Sequence, residues 1–136
     1  MIDAGVQLDW MYSPLEVLSR WPAQMPVHLL HSGRYDPRWG TRSIITSPVG
    51  TYRFTSAGKS EWIGDATAAP VTQWAHKPLH DLKHLIDATD GLLVGYLSYD
   101  LGRWIEPAAR HANGARDERQ HAVLEFGWCP GYLVHD

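Results

Sequence analysis

A single cysteine, Cys129, is all the chain contains, so no disulfide can form within it. Set between Trp128 and Pro130, that thiol reads as a small buried hydrophobe rather than a nucleophile, which needs an electropositive, partly exposed surrounding. No apolar run approaches the ~20 residues of a membrane-spanning helix. The N-terminus carries Asp3 and Asp9 and lacks the apolar stretch of a secretory signal. These absences lead us to expect a cytoplasmic protein. Basic charge is also scarce: 12 Lys and Arg against 15 Asp and Glu give a formal net charge of -3. Arg34, Arg38 and Arg42 are separated by apolar or turn residues. Neither a nucleic acid nor a membrane surface is therefore an expected partner. The phosphate-binding loops G-x-G-x-x-G and G-x-x-x-x-G-K-[ST] are missing, as is the G-x-S-x-G turn of hydrolases. The acidic residues are scattered, and no two stand as a general acid and base. We expect no catalytic residue in this chain.

What is present fits one globular domain, residues 1–136, of ordinary hydrophobic content, 44%. Ser13-Pro14-Leu15-Glu16 is a capping box with proline at the first helical position, and Pro22 stops the helix near Arg20. Pro26 to His31 reads as a buried strand, and the segment Arg34 to Gly40 as a turn. Arg42 to Thr46 and Thr51 to Thr55 read as strands joined in a hairpin at Val49-Gly50, with a third strand over Ser60 to Ile63. Asp65 to Pro70 reads as a surface connection. Pro78 to Thr89 has Leu79, Leu82, Leu85 and Ile86 at helical spacing, with Gly91 placed for a C-terminal cap. Gly91 to Asp100 is an apolar strand with both faces covered, in which Gly95 allows a close backbone approach. Asn113 to Arg119 reads as a turn, followed by strands over His121 to Phe126 and Gly131 to Val134. The sum is α+β: mostly antiparallel sheet in sandwich-like layers, with two short helices on one side. Seven tryptophans are spread without a period. They read as core and interface filling rather than as a sugar-binding platform.

His76, His80 and His84 stand four residues apart, and on one helix His80 and His84 could share a metal. Pro78 leaves His76 outside that helix, and no third ligand is evident. A solvated polar face is the stronger reading, and no metal site is expected. Asp100 and Glu106 flank Arg103 at the end of a strand, where ion pairing explains them without chemistry.

Two segments carry the informative signal: Leu-Leu-His-Ser-Gly at Leu29 to Gly33, followed by Arg42-Ser-Ile-Ile, and Gly-Tyr-Leu-Ser-Tyr-Asp-Leu-Gly-Arg-Trp-Ile-Glu at Gly95 to Glu106. In this order and separation they resemble the N-terminal region of component I of aminodeoxychorismate synthase and of its relative anthranilate synthase. The resemblance covers about Trp21 to Asp136, ending on Tyr-Leu-Val-His-Asp at Tyr132 to Asp136. The anthranilate enzymes usually read Leu-Leu-Glu-Ser where this chain has His31, which favours the aminodeoxychorismate type.

The resemblance implies the N-terminal part of a layered α/β fold built around a β-sandwich. It implies a non-catalytic region supporting conversion of chorismate to 4-amino-4-deoxychorismate, on the route to p-aminobenzoate and folate. The chorismate-binding region, which uses Mg2+, is C-terminal in that family and is not expected within these residues, so the chain alone is expected to be inactive and to hold no cofactor. Its expected partners are that C-terminal region and a glutamine amidotransferase subunit or domain that supplies ammonia. The family also holds L-tryptophan in a pocket built largely from this region. The matching positions are Leu30, Ser32, Arg42 and Ser43, with Thr41 a weaker match. The alternatives are the corresponding region of an anthranilate synthase, with tryptophan as feedback inhibitor, and a stand-alone amino-acid-binding module.

Overall fold

The computed structural model describes residues 5–34, 36–106, 108 and 121–136. The expected turn at Asn113 to Arg119 lies outside the described residues. The first helix follows its sequence signals closely. Helix α1 (Pro14–Ser19) starts on Ser13, whose hydroxyl accepts from the Glu16 amide while the Glu16 carboxylate accepts from the Ser13 amide.

The strands are β1 (His28–Leu30), β2 (Ser43–Thr46), β3 (Gly50–Phe54), β4 (Ser60–Gly64), β5 (Leu92–Leu97), β6 (Leu124–Cys129) and β7 (Tyr132–His135). They form two antiparallel sheets, one ordered β1-β2-β7 and the other β4-β3-β6-β5. The expected hairpin between β2 and β3 does not form. β2 pairs with β1 and β7, and β3 with β4 and β6. The pairings Thr46↔Tyr132 and Gly50↔Trp128 belong to one continuous register, which sets Pro48 opposite Pro130. Proline has no N–H to give to a ladder. A long two-stranded ribbon is thus cut at a proline pair, and its two halves grow into separate sheets. The Val49 amide, donating to the Trp128 carbonyl at 2.9 Å, carries the chain across the break.

One face of the four-stranded sheet holds the core. Tyr52, Phe54 and Leu124 are fully buried there with Leu85 of α2 (Pro78–Ala88), and with Val71, Leu101 and Val123. Trp74 stacks on Tyr52 with ring centroids 4.8 Å apart, and Trp104 meets Phe54 edge-on at 5.0 Å. These rings fill the core, as read from the sequence. The apolar face expected on α2 is only partly right. Leu85 is buried, but Leu79 and Ile86 are exposed and Asp81 points inward with no exposed area. Hydrogen bonding, described below, turns the helix to favour that carboxylate. Nor do the helices share one side: α1 packs on β2 of the smaller sheet and α2 on the core of the larger one. A third, four-residue helix, α3 (Gly102–Ile105), follows a 3-10 turn over Tyr99–Leu101.

Two further expectations are corrected. Gly91 does not cap α2, which ends on Thr89 in an extended conformation. The φ of +97° at Gly91 lets the chain enter β5 close against the end of β6, where an added Cβ would lie 2.5 Å from the Cys129 carbonyl oxygen. β5 is shorter than expected and is an edge strand, with Tyr96 and Leu97 exposed, because among the described residues only β6 pairs with it. β1 is likewise half-buried rather than buried. Its Leu30 forms a cross-strand row with Ile44 and Val134, and Leu30 and Val134 are each about half exposed. Among the described residues no helix is long and apolar enough to cross a membrane.

Candidate functional site

β1 ends beside the start of β2, and β2 begins beside the end of β7, so three chain segments meet at one corner of the smaller sheet. A cleft of about 190 Å³ lies there. Ser32, Thr41 and Ser43 line it, as do His31, His135 and Asp136. Gly40 closes one wall. It belongs to a turn in which the Gly40 amide donates to the Asp36 carbonyl at 2.9 Å, and a Cβ there would lie 2.8 Å from the Arg34 carbonyl oxygen.

Ser43 is the centre of the cleft. It is buried, and its hydroxyl oxygen accepts from the Ser32 amide at 3.1 Å and lies 3.1 Å from His31 Nδ1. Ser32 Oγ donates to the Arg42 carbonyl at 2.6 Å. These bonds tie the strand exit to the strand entry and fix both hydroxyls. Arg42 turns outward, its Nε 2.7 Å from Asp136 Oδ1 in an exposed ion pair. The cleft mouth thereby carries one charge of each sign, as the head of an amino acid does. Ser43 and His31 do not form a nucleophile–base pair, because Ser43 is buried and already bonded. Among the described residues no carboxylate orients His31.

Of the five positions matched from the sequence, the structure brings Ser32, Thr41 and Ser43 together in the cleft. Arg42 sits outside its lining but at its mouth. Leu30 lies on the opposite face of β1, in the row with Ile44 and Val134. His135 and Asp136 were not read as site residues. The segment containing them was noticed, but the β2–β7 pairing that delivers them has a separation no local pattern reveals.

The other constellations resolve into structure. Arg103 Nη2 lies 3.3 Å from Asp100 Oδ1, the ion pair expected there, while Glu106 accepts from the Ala108 amide. His76 lies outside α2, as expected, with φ +57° and its Nδ1 accepting from the Ser60 amide at 3.0 Å. His80 Nδ1 is 3.3 Å from Asp81 Oδ1. Among the described residues no group of three or more His, Cys, Asp or Glu could hold a metal ion. Burial pushes the Cys129 thiol above its ordinary pKa, which suits a buried hydrophobe.

One buried polar network escaped the sequence reading. Asp81 accepts from Ser60 Oγ at 2.6 Å, from the Ala75 amide at 2.9 Å and from the Lys77 amide at 3.1 Å. Ser60 Oγ in turn lies 3.2 Å from the Tyr52 hydroxyl, whose pKa is pushed up to about 12, chiefly by burial. These groups lock α2 and its preceding loop to β4.

Compared with known proteins, the chain matches no family model, no curated protein and no solved structure.

Proposed function

We propose that this chain is the N-terminal, non-catalytic region of a chorismate-using synthase of the aminodeoxychorismate type, acting in the cytoplasm. Its task in that reading is to hold the L-tryptophan head in the cleft at Ser43 and to support a C-terminal chorismate-binding region that uses Mg2+ and amidotransferase-derived ammonia. The observation that carries the proposal is the gathering of Ser32, Thr41 and Ser43 into one cleft. The motif positions around residues 32 and 42, ten residues apart, converge with an oppositely charged pair, Arg42 and Asp136, at the mouth. In this reading the ammonium meets Asp136 and Ser32 Oγ, and the carboxylate meets Arg42. The cleft is smaller than the ~300–1,000 Å³ of typical ligand pockets, so it takes the amino-acid head while the indole lies outside it. The half-exposed apolar row of Leu30 and Val134 then serves the layer that completes the synthase.

L-Tryptophan should therefore raise the melting temperature of the chain. A ligand bound only to the native state stabilises by about 2.7 kcal/mol at a hundredfold excess over Kd, or roughly 5–10 °C for a domain of this size. Ser32→Ala should weaken the shift, because a charge-assisted hydrogen bond is worth roughly 1.5–3 kcal/mol. Equal shifts with L-tryptophan, D-tryptophan and leucine would rule the head-group site out.

A further inference from the structure

From Gly91 to Ser98 the sequence holds no charged residue and no proline, and this stretch forms β5, an edge of the four-stranded sheet. A bare edge is an open row of backbone donors and acceptors, and folded proteins ordinarily blunt it with a charge, a proline or a very short strand. The other edges carry such devices: Glu61 stands in β4, and β1 and β7 are three and four residues long. β5 runs for six residues with none, and no strand among the described residues pairs with its outer side.

The backbone shows which groups face that side. The Ser98 amide donates to the Val123 carbonyl at 2.8 Å, in line with the β5–β6 register. The Trp128 carbonyl turns the other way and accepts from the Val49 amide, which leads into β3. Residues of an antiparallel strand alternate between their two neighbours. Leu92, Val94 and Tyr96 therefore bond to β6, while Leu93, Gly95 and Leu97 present their N–H and C=O groups to the open edge. These three are symmetric about Gly95. We infer that β5 pairs antiparallel with β5 of a second copy of the chain, on a two-fold axis through Gly95 that joins the two four-stranded sheets into one.

Side chains and charges both fit that occupant. Gly95 meets the partner's Gly95 and Leu93 meets the partner's Leu97, on the face where Leu93 already packs against the core. Val94 meets the partner's Tyr96 on the other face, an aromatic–β-branched pair. Tyr96 and Leu97, 43% and 53% exposed in the single chain, are thereby covered. Each copy carries a net charge of -3, yet the join itself is uncharged. On the Tyr96 face the two Glu125 carboxylates, each opposite its own Tyr96 in β6, stand three strand spacings apart, roughly 14 Å. Screening at physiological salt acts over about 8 Å. The ladder also stops short of Asp90 and Asp100, because Gly91 at φ +97° and the 3-10 turn from Tyr99 end the extended strand.

Sedimentation equilibrium of the intact chain should show a monomer at about 1 μM and a dimer, with no larger species, at about 1 mM, since an edge-to-edge join is a small interface. Tyr96→Lys should remain folded by circular dichroism but stay monomeric at about 1 mM, because it sets an ammonium group in the join. Tyr96→Phe should still dimerise. Mixing Val94→Cys with Tyr96→Cys under air should give a disulfide-linked heterodimer, because Cα atoms of a directly opposed, non-hydrogen-bonded pair lie about 4.5 Å apart, within disulfide reach. Either variant alone, diagonal across the axis, should cross-link several-fold less. A chain still monomeric at about 1 mM would overturn the assignment. So would a dimer that survives Tyr96→Lys, or cross-linking no greater in the mixture than in either cysteine variant alone.

Discussion

Replacing Asp81 with alanine should destabilise the fold by about 3 kcal/mol or more, because it strands several buried donors at once. The carboxylate has no exposed area and accepts from Ser60 Oγ and from the amides of Ala75 and Lys77. Alanine leaves all three without an acceptor at the point where the 71–77 segment, α2 and β4 meet. Urea unfolding should show the midpoint falling sharply, and a loss under about 1 kcal/mol would mean that water replaces the carboxylate. The same site sets an acid dependence. Burial alone would raise the Asp81 pKa, but hydrogen bonds from Ser60, Ala75, His80 and Lys77 outweigh it and hold the carboxyl below the ordinary carboxylate range. With the folded value below the unfolded one, this contribution is fully present above pH about 4 and is lost as pH falls through the folded value. The stability gap between the native chain and Asp81→Asn should therefore narrow below pH about 4. A gap constant down to pH about 2 would contradict the assigned direction.

Gly95→Ala should be nearly as damaging, at about 3 kcal/mol, although it adds a single methyl group. A Cβ at Gly95 would lie 1.8 Å from the Glu125 carbonyl oxygen and 2.7 Å from Phe126 Cα. Both are backbone atoms of β6, so no side chain can swing aside. β5 has to move off β6, and because nothing else among the described residues pairs with β5 the edge is lost. Hydrogen exchange should show protection disappearing first along Leu92–Leu97. Gly102→Ala is the matched control: nothing lies within 4 Å of its added Cβ, and at the first residue of α3 it should be neutral or slightly stabilising. Equal effects of the two substitutions would mean that the β5–β6 approach is not what Gly95 provides.

Local chemistry was legible in the sequence wherever one short segment decides the outcome. Ser13, Pro14 and Glu16 fix α1 among themselves, Pro78 starts α2, and Gly95 announced the close approach that β6 makes. What was not legible depends on pairing across long separations. Val49-Gly50 has the look of a turn, yet β2 and β3 each find better partners in β7 and β6, some 80 residues away. Pro48 opposite Pro130 explains the break, and neither proline reveals the other. Helical spacing favoured Leu79 and Ile86 as the inward face of α2, since a carboxylate is normally solvated. Asp81 reverses this because Ser60 and two amides satisfy it, a partnership visible only once β4 and the loop are in place. The cleft shows the same division. Ser32 and Ser43 were readable from their segments, whereas His135 and Asp136 reach the cleft only through the β2–β7 register. Leu30 went to the opposite face because it pairs with Ile44, and successive residues of a strand, here Ser43 and Ile44, point opposite ways.

In the proposed function this chain supports chorismate chemistry without performing it. The direct test is conversion of chorismate in the presence of ammonia and Mg2+. It is measured for the chain alone, for a separately produced chorismate-binding region of aminodeoxychorismate synthase, and for the two mixed. The proposed function calls for no 4-amino-4-deoxychorismate from the chain alone and at least a tenfold gain in the mixture over the chorismate-binding region alone, about 1.4 kcal/mol of barrier. Product from the chain by itself, or a mixture no faster than the chorismate-binding region alone, would contradict it.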